Sequence, residues 1–121
     1  MAHDPPDPRR SVPLTPLAFH VLVALGHGEL HGYGIIKDIE ERTDGALTPR
    51  SGTLYTALQR LLDAGWIEDA PAPAGDAVDP RRRDYRITEL GRAVAAAESE
   101  RLARMVADAR ARRLAPGDAG A

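Results

Sequence analysis

Residues 47–67 read LTPRSGTLYTALQRLLDAGWI, and they leave little freedom in what this chain can build. Leu54, Leu58, Leu61 and Leu62 fall at i, i+4, i+7 and i+8, the spacing of one buried helical face. Gly65 stops the helix. The opposite face begins with Ser51, Gly52, Tyr55, Thr56 and Gln59, with Arg50 just before it. These are hydrogen-bonding side chains of modest bulk, with a glycine that permits close approach. Such a face meets either solvent or a partner.

Two shorter helices precede this one. Thr15 can cap free N–H groups and Pro16 takes the first helical position, where no N–H is missed. Leu17, Ala18, Val21, Leu22 and Leu25 then mark a buried face, and Gly26 and Gly28 close the helix. In HGYGIIKDIEERTDGAL, Ile35, Ile36 and Ile39 point inward, Lys37 and Asp38 outward, and Asp44-Gly45 ends the second helix. His31 is expected to cap or pack at its start, and Gly32 and Gly34 to allow close helix contact. Three short helices followed by an extended segment suggest a helix-turn-helix with an appendage.

The appendage reads as a hairpin. WIED at 66–69 and RDYRIT at 83–88 have strand character, the second with Tyr85 and Ile87 inward and Asp84 and Arg86 outward. The connection APAPAGDAVDPRR far exceeds the usual hairpin loop of about two to five residues, which marks it as mobile, functional or both. A last helix starts at Thr88 as cap, with Glu89 at its positive end, and runs to about Leu114 before Pro116-Gly117. Leu90, Val94, Ala97, Leu102, Met105, Val106 and Ala109 form an Ala-rich stripe along it. Glu100 with Arg104 and Asp108 with Arg112 are spaced as i,i+4 ion pairs. So long a helix at the edge of so small a domain has little of its own chain to pack against, so a second copy is the expected cover for the stripe.

Bulk properties narrow the function. The 121 residues, 43% hydrophobic, suit one domain. The segments 1–12 and 115–121, rich in Pro, Gly and charge, are expected to be disordered tails. With no cysteine there is no disulfide framework or thiolate site, and neither a membrane-length apolar run nor a signal peptide is evident, so a cytoplasmic protein is expected. The net charge of -2 excludes a uniformly basic surface but not a local patch. Lys37 is the only lysine, so nearly all positive charge sits on arginine, which forks onto phosphates and guanine edges. The four histidines lack a zinc-site pattern, although His27 and His31 lie four apart, and neither a G-x-S-x-G nor a Gly-rich phosphate loop is present. No metal, no cofactor and no enzymatic activity are expected.

LTPLAFHVLVAL, HGYGI, GTLYTALQRLLDAGWI and RRRDYRITELGR, in this order and at this spacing, resemble the PadR family of transcriptional regulators over about residues 13–114. The single C-terminal helix is similar to the shorter of the family's two size classes. The resemblance implies a mainly α fold with a small β-hairpin wing. Residues 13–88 would form a winged helix-turn-helix domain and residues 89–114 a C-terminal dimerisation helix. It also implies a homodimer that binds double-stranded operator DNA, usually as a repressor, and leaves room for an unidentified small-molecule effector. The segment Pro71 to Arg82 departs from the family, being longer and more acidic than in many members.

On this reading the third helix enters a major groove by its N-terminus. Ser51, Thr53 and Tyr55 would bond phosphates, Arg50, Thr56 and Gln59 would reach base edges, and Gly52 would permit close approach. Tyr33 is expected to pack near the domain's centre with its hydroxyl at the DNA-facing edge. Arg81, Arg82 and Arg83, with Arg86, would bring the wing to the backbone or a narrow minor groove. Asp76, Asp79 and Asp84 oppose those four arginines and leave a local charge of only about +1, well short of a strong electrostatic footprint. The competing reading keeps the fold but makes it a protein-interaction module that does not bind DNA.

Overall fold

The computed structural model describes residues 7–71 and 83–116. Four helices and a three-stranded antiparallel sheet follow one another: α1 Pro16–Ala24, β1 Leu30–His31, α2 Gly32–Arg42, α3 Ser51–Ala64, β2 Ile67–Ala70, β3 Asp84–Ile87 and α4 Glu89–Ala111. Each helix begins and ends for a local reason. The Thr15 hydroxyl accepts from the Ala18 N–H and Pro16 sits at the first position of α1. Thr88 does the same for α4 through the Gly91 N–H. The end of α3 is Gly65, in the left-handed region at φ 79°, a conformation that costs a residue with a Cβ.

The apolar faces converge on one core. Val21, Leu22 and Leu25 from α1 and its following turn meet Ile35 and Ile39 of α2 and Leu54, Leu58 and Leu61 of α3. Ile67, Tyr85 and Val94 close it from the sheet and α4. This is a winged-helix arrangement with a long helix appended, as the pattern of the chain suggests.

Several details differ from expectation. The sheet has a third strand: β3 lies between β1 and β2, pairing Leu30 with Tyr85 and Ile67 with Ile87. Two residues at the start of a helix are too short to leave a period-2 signal. Asp84, expected outward, is buried, at the position where β3 pairs with both His31 and Ala70. Residues 7–12 are not an unstructured tail. Pro8–Ser11 forms a 3-10 turn, capped by Asp7 and packed on α4. Residues 1–6, 117–121 and nearly all of the long loop, 72–82, lie outside the described residues.

The packing of α4 also corrects the expected stripe. Val94 is completely buried in this chain's own core, and Leu90 packs against that core, so neither belongs to a face free for a second copy. The next inward position is Glu98, which is only 2% exposed. Its carboxylate accepts the Leu14 N–H at 2.8 Å and is paired with Arg101. Thus a charge, not an alanine, fixes the N-terminal segment to α4. Among the described residues the ion pair on α4 is Glu98–Arg101, not Glu100–Arg104 or Asp108–Arg112.

Gly91 has the tightest steric position in the chain. A Cβ there would lie 2.0 Å from the Trp66 carbonyl oxygen and 2.9 Å from Ile87. Alanine ordinarily favours a helix over glycine by about 1 kcal/mol. Here the sign reverses, because backbone must move: Gly91→Ala should destabilise the fold by at least about 2 kcal/mol in urea unfolding.

The Arg101 guanidinium, followed by the Leu14 N–H, holds the Glu98 carboxyl below the usual glutamate range. Its contribution is therefore complete above the unfolded glutamate pKa of about 4.3 and is lost as pH falls through the lower folded value. The gap in melting temperature between the wild type and Glu98→Gln should be constant from neutral pH down to about pH 5 and shrink below about pH 4. A gap that persists unchanged to pH 2 would show that the charge does not matter.

Candidate functional site

The start of α3 is presented by what lies under it. Thr43, at the end of α2, donates to the Ile39 carbonyl at 2.8 Å and accepts from the Leu47 N–H at 3.1 Å, which fixes the connection. Leu54 and Leu58 are buried in the core. With that face anchored, Arg50, Ser51, Gly52, Thr53, Tyr55, Thr56 and Gln59 are all exposed. Arg50 holds the capping position in extended conformation (φ -75°, ψ 152°), and its side chain makes no cap bond. Ser51 is the first helical residue and does not cap the helix.

The exposed residues do not form one uniform surface. The Thr56 hydroxyl donates to the Gly52 carbonyl at 3.0 Å, and the Gln59 amide donates to Asp63 at 2.9 Å. Gly52, Thr53, Thr56 and Arg60 also line a groove of about 870 Å³ shared with Leu14 and Leu17. Thr53, expected at a phosphate, is thus on the flank of α3 that faces the N-terminal segment. Tyr55 is 51% exposed and lies over the first residue of α2: a Cβ on Gly32 would stand 2.7 Å from its hydroxyl. Nearby on α2, Tyr33 is not packed at the domain's centre as expected but 61% exposed, with the Lys37 ammonium 5.6 Å from its ring centroid.

The wing strands supply charge that is already paired. Arg83 donates to Asp69 through Nε at 3.2 Å and Nη2 at 2.6 Å, and its guanidinium lies 5.5 Å from the Tyr85 ring centroid. Arg86 bonds Glu68 at 2.8 Å and lies 3.9 Å from Glu29. Neutralisation thus comes from β2 and the segment before β1. The expected carboxylates Asp76 and Asp79 lie outside the described residues, as do Arg81 and Arg82. The Asp69 bond raises the Arg83 pKa, and burial raises that of Tyr85. The Tyr55 hydroxyl lies against Gly32, next to His31, which pairs with Asp84 of β3, so the start of α3 and the wing adjoin here. By contrast, Arg50 and Arg60 have no ion-pair partner among the described residues.

On α4, Ala97, Leu102 and Ala109 are partly exposed, and Met105 (56%) and Val106 (41%) are exposed. Those five remain of the expected stripe once Leu90 and Val94 are assigned to the core. Among the described residues no group of three His, Asp or Glu could hold a metal ion, and no helix is long and apolar enough to cross a membrane. His20 is engaged by Arg42, and burial lowers its pKa.

Sequence reasoning missed Asp69 as the partner of Arg83. Reading WIED as a strand places Asp69 in it, but the long connection conceals the register that sets it against β3.

Comparison with known proteins places this geometry. The family described as transcriptional regulator PadR-like matches residues 21–97, more than half of the 121-residue chain. Over 64 residues the chain is 41% identical to an uncharacterised protein of Lysinibacillus sphaericus. That match covers 52% of this chain and 56% of the relative, so the chain spans little more than half the length of that curated protein. A transcriptional regulator from Clostridium thermocellum superposes with a TM-score of 0.62 at 30% identity, over 75% of this chain and 88% of that one. Bacillus subtilis PadR in complex with operator DNA gives a TM-score of 0.56 at 25% identity, over 66% and 45% of the two chains. On the extent of the family match, the chain belongs to the PadR-like family of transcriptional regulators.

Proposed function

We propose that this protein is a sequence-specific DNA-binding regulator that acts as a homodimeric repressor on an inverted-repeat operator. The observation that carries the reading is the exposed face of α3 from Arg50 to Gln59. It is anchored by a fully buried leucine face, and its flanking Arg50 and Arg60 have no ion-pair partner among the described residues. A helix start without a side-chain cap, beside hydroxyls and an amide, suits a major groove entered by the N-terminus. Arg50 and Gln59 reach base edges, while Ser51 and Tyr55 bond phosphate. Thr56 offers its oxygen as an acceptor, since its hydrogen is committed to Gly52. The structure of Bacillus subtilis PadR on operator DNA supports the assignment by similarity.

The dimer rests on α4. Beyond Glu98 the helix leaves the core and presents Met105 and Val106 exposed and Leu102 and Ala109 only partly covered. Pairing these faces sets two α3 helices at the spacing of successive major grooves, about 10 bp apart. A small molecule that changes the angle between the paired helices would change that spacing and release the DNA.

A second reading, an interaction module that does not bind DNA, is favoured by the pairing of Arg83 and Arg86 with carboxylates and by the net charge of -2. Mobility shift against the DNA upstream of the protein's own gene separates the two. The double variant Arg50→Ala/Tyr55→Ala should lose affinity by roughly 100-fold. Its melting temperature and its sedimentation as a dimer should remain those of the wild type. Unaltered binding would remove α3 from the interface, and no binding by the wild type to any duplex would favour the interaction module.

A further inference from the structure

We propose that Asp69 is an intramolecular stand-in for a DNA phosphate. In the free protein it occupies the guanidinium of Arg83 and yields it to the backbone when a duplex docks. The inference rests on the DNA-binding reading of α3 and deepens it, by naming a residue that sets how strongly the wing contributes.

Arg83 is placed by packing as well as by charge. It stands immediately before β3, two residues from Tyr85, over whose ring its guanidinium lies. The register puts Asp69 opposite Tyr85, so the carboxylate meets Arg83 diagonally across the β2–β3 pair. Nε and Nη2 both bond the same oxygen, Oδ1. That edge of the guanidinium is the one that takes a phosphate oxygen pair. Both side chains are more than half exposed, and exposed pairs of this kind are weak enough to exchange partners. The Tyr55 hydroxyl lies against Gly32, the residue after His31, and His31 pairs with Asp84, the neighbour of Arg83, so the exchange takes place close to the start of α3.

The neighbouring arginine differs. Arg86 stands between two carboxylates, Glu68 and Glu29. Losing either one leaves the other, and Arg86 is not part of the exchange. Arg83 has the single partner Asp69 among the described residues. Replacing one anion by another makes the contact nearly neutral in net charge, and the displaced carboxylate then repels the arriving phosphate. Both effects lower affinity without regard to sequence, which leaves discrimination to α3.

Fluorescence anisotropy of the full chain tests this, using the duplex upstream of its own gene and a scrambled duplex between about 50 and 200 mM salt. Asp69→Asn should bind both duplexes about 3- to 10-fold more tightly at the lower salt. Its log–log salt slope should steepen by up to about one, because the Arg83–phosphate contact then forms without breaking an internal ion pair. Asp69→Glu should behave as the wild type, and in an Arg83→Ala background Asp69→Asn should give no gain. If Asp69→Asn binds no more tightly than the wild type, or if its gain survives loss of Arg83, the proposal is overturned while the DNA-binding reading stands. If neither the wild type nor Asp69→Asn binds any duplex, both are overturned.

Discussion

The carbonyl of Trp66 is where the parts of this molecule are tied together. It accepts the Thr88 N–H at 3.0 Å, and the first turn of α4 sits on it so closely that only glycine fits at position 91. One residue earlier, the Gly65 carbonyl accepts the Thr88 hydroxyl at 2.7 Å. The same hydroxyl accepts the Gly91 N–H and so starts α4. The end of α3, the first wing strand and the beginning of α4 therefore share one set of hydrogen bonds and cannot tilt independently. Under the proposed function, a change in the direction of α4 would reach the outward face of α3 through this junction, in the way that packed elements move as rigid bodies.

Charge is distributed to match. Near the wing, the described arginines Arg83 and Arg86 are satisfied within the chain, by Asp69, Glu68 and Glu29. On α4 one charged pair serves the fold, since Glu98 holds the N-terminal segment through Leu14 and is itself balanced by Arg101. Around α3, Arg50 and Arg60 are left without carboxylates among the described residues. The net charge of -2 is thus compatible with a basic face, because the compensation is local and uneven. Under the proposed function such a protein would draw modestly on long-range attraction and depend on the fit of α3.

Much of this was legible in the residues. The leucine spacing of α3, the Thr-Pro start of α1, the Thr88 cap and Gly65 are local signals, and each acts within a few residues of itself. Strand β1 was not legible, since two residues cannot show a period and their pairing with β3 spans more than fifty positions. The burial of Glu98 was hidden because a glutamate on a long helix ordinarily faces water. Its reason lies in the N–H of Leu14, 84 residues away in the chain. For the candidate site, the exposed face of α3 followed from the buried one. The partner of Arg83 did not, because cross-strand register depends on a connection whose length hides it. The stripe on α4 was read too broadly: periodicity marks Leu90 and Val94 as apolar-facing but cannot say that the face is this chain's own core.

The account holds that α3 reads DNA while the wing adds little net electrostatic attraction. The most direct test is the salt dependence of binding by the wild-type protein to the DNA upstream of its own gene, set against scrambled DNA. The account predicts tight, sequence-selective binding with a shallow salt slope, in which base contacts outweigh a small number of phosphate contacts. Weak and equal binding to both duplexes, or a steep slope without selectivity, would contradict it.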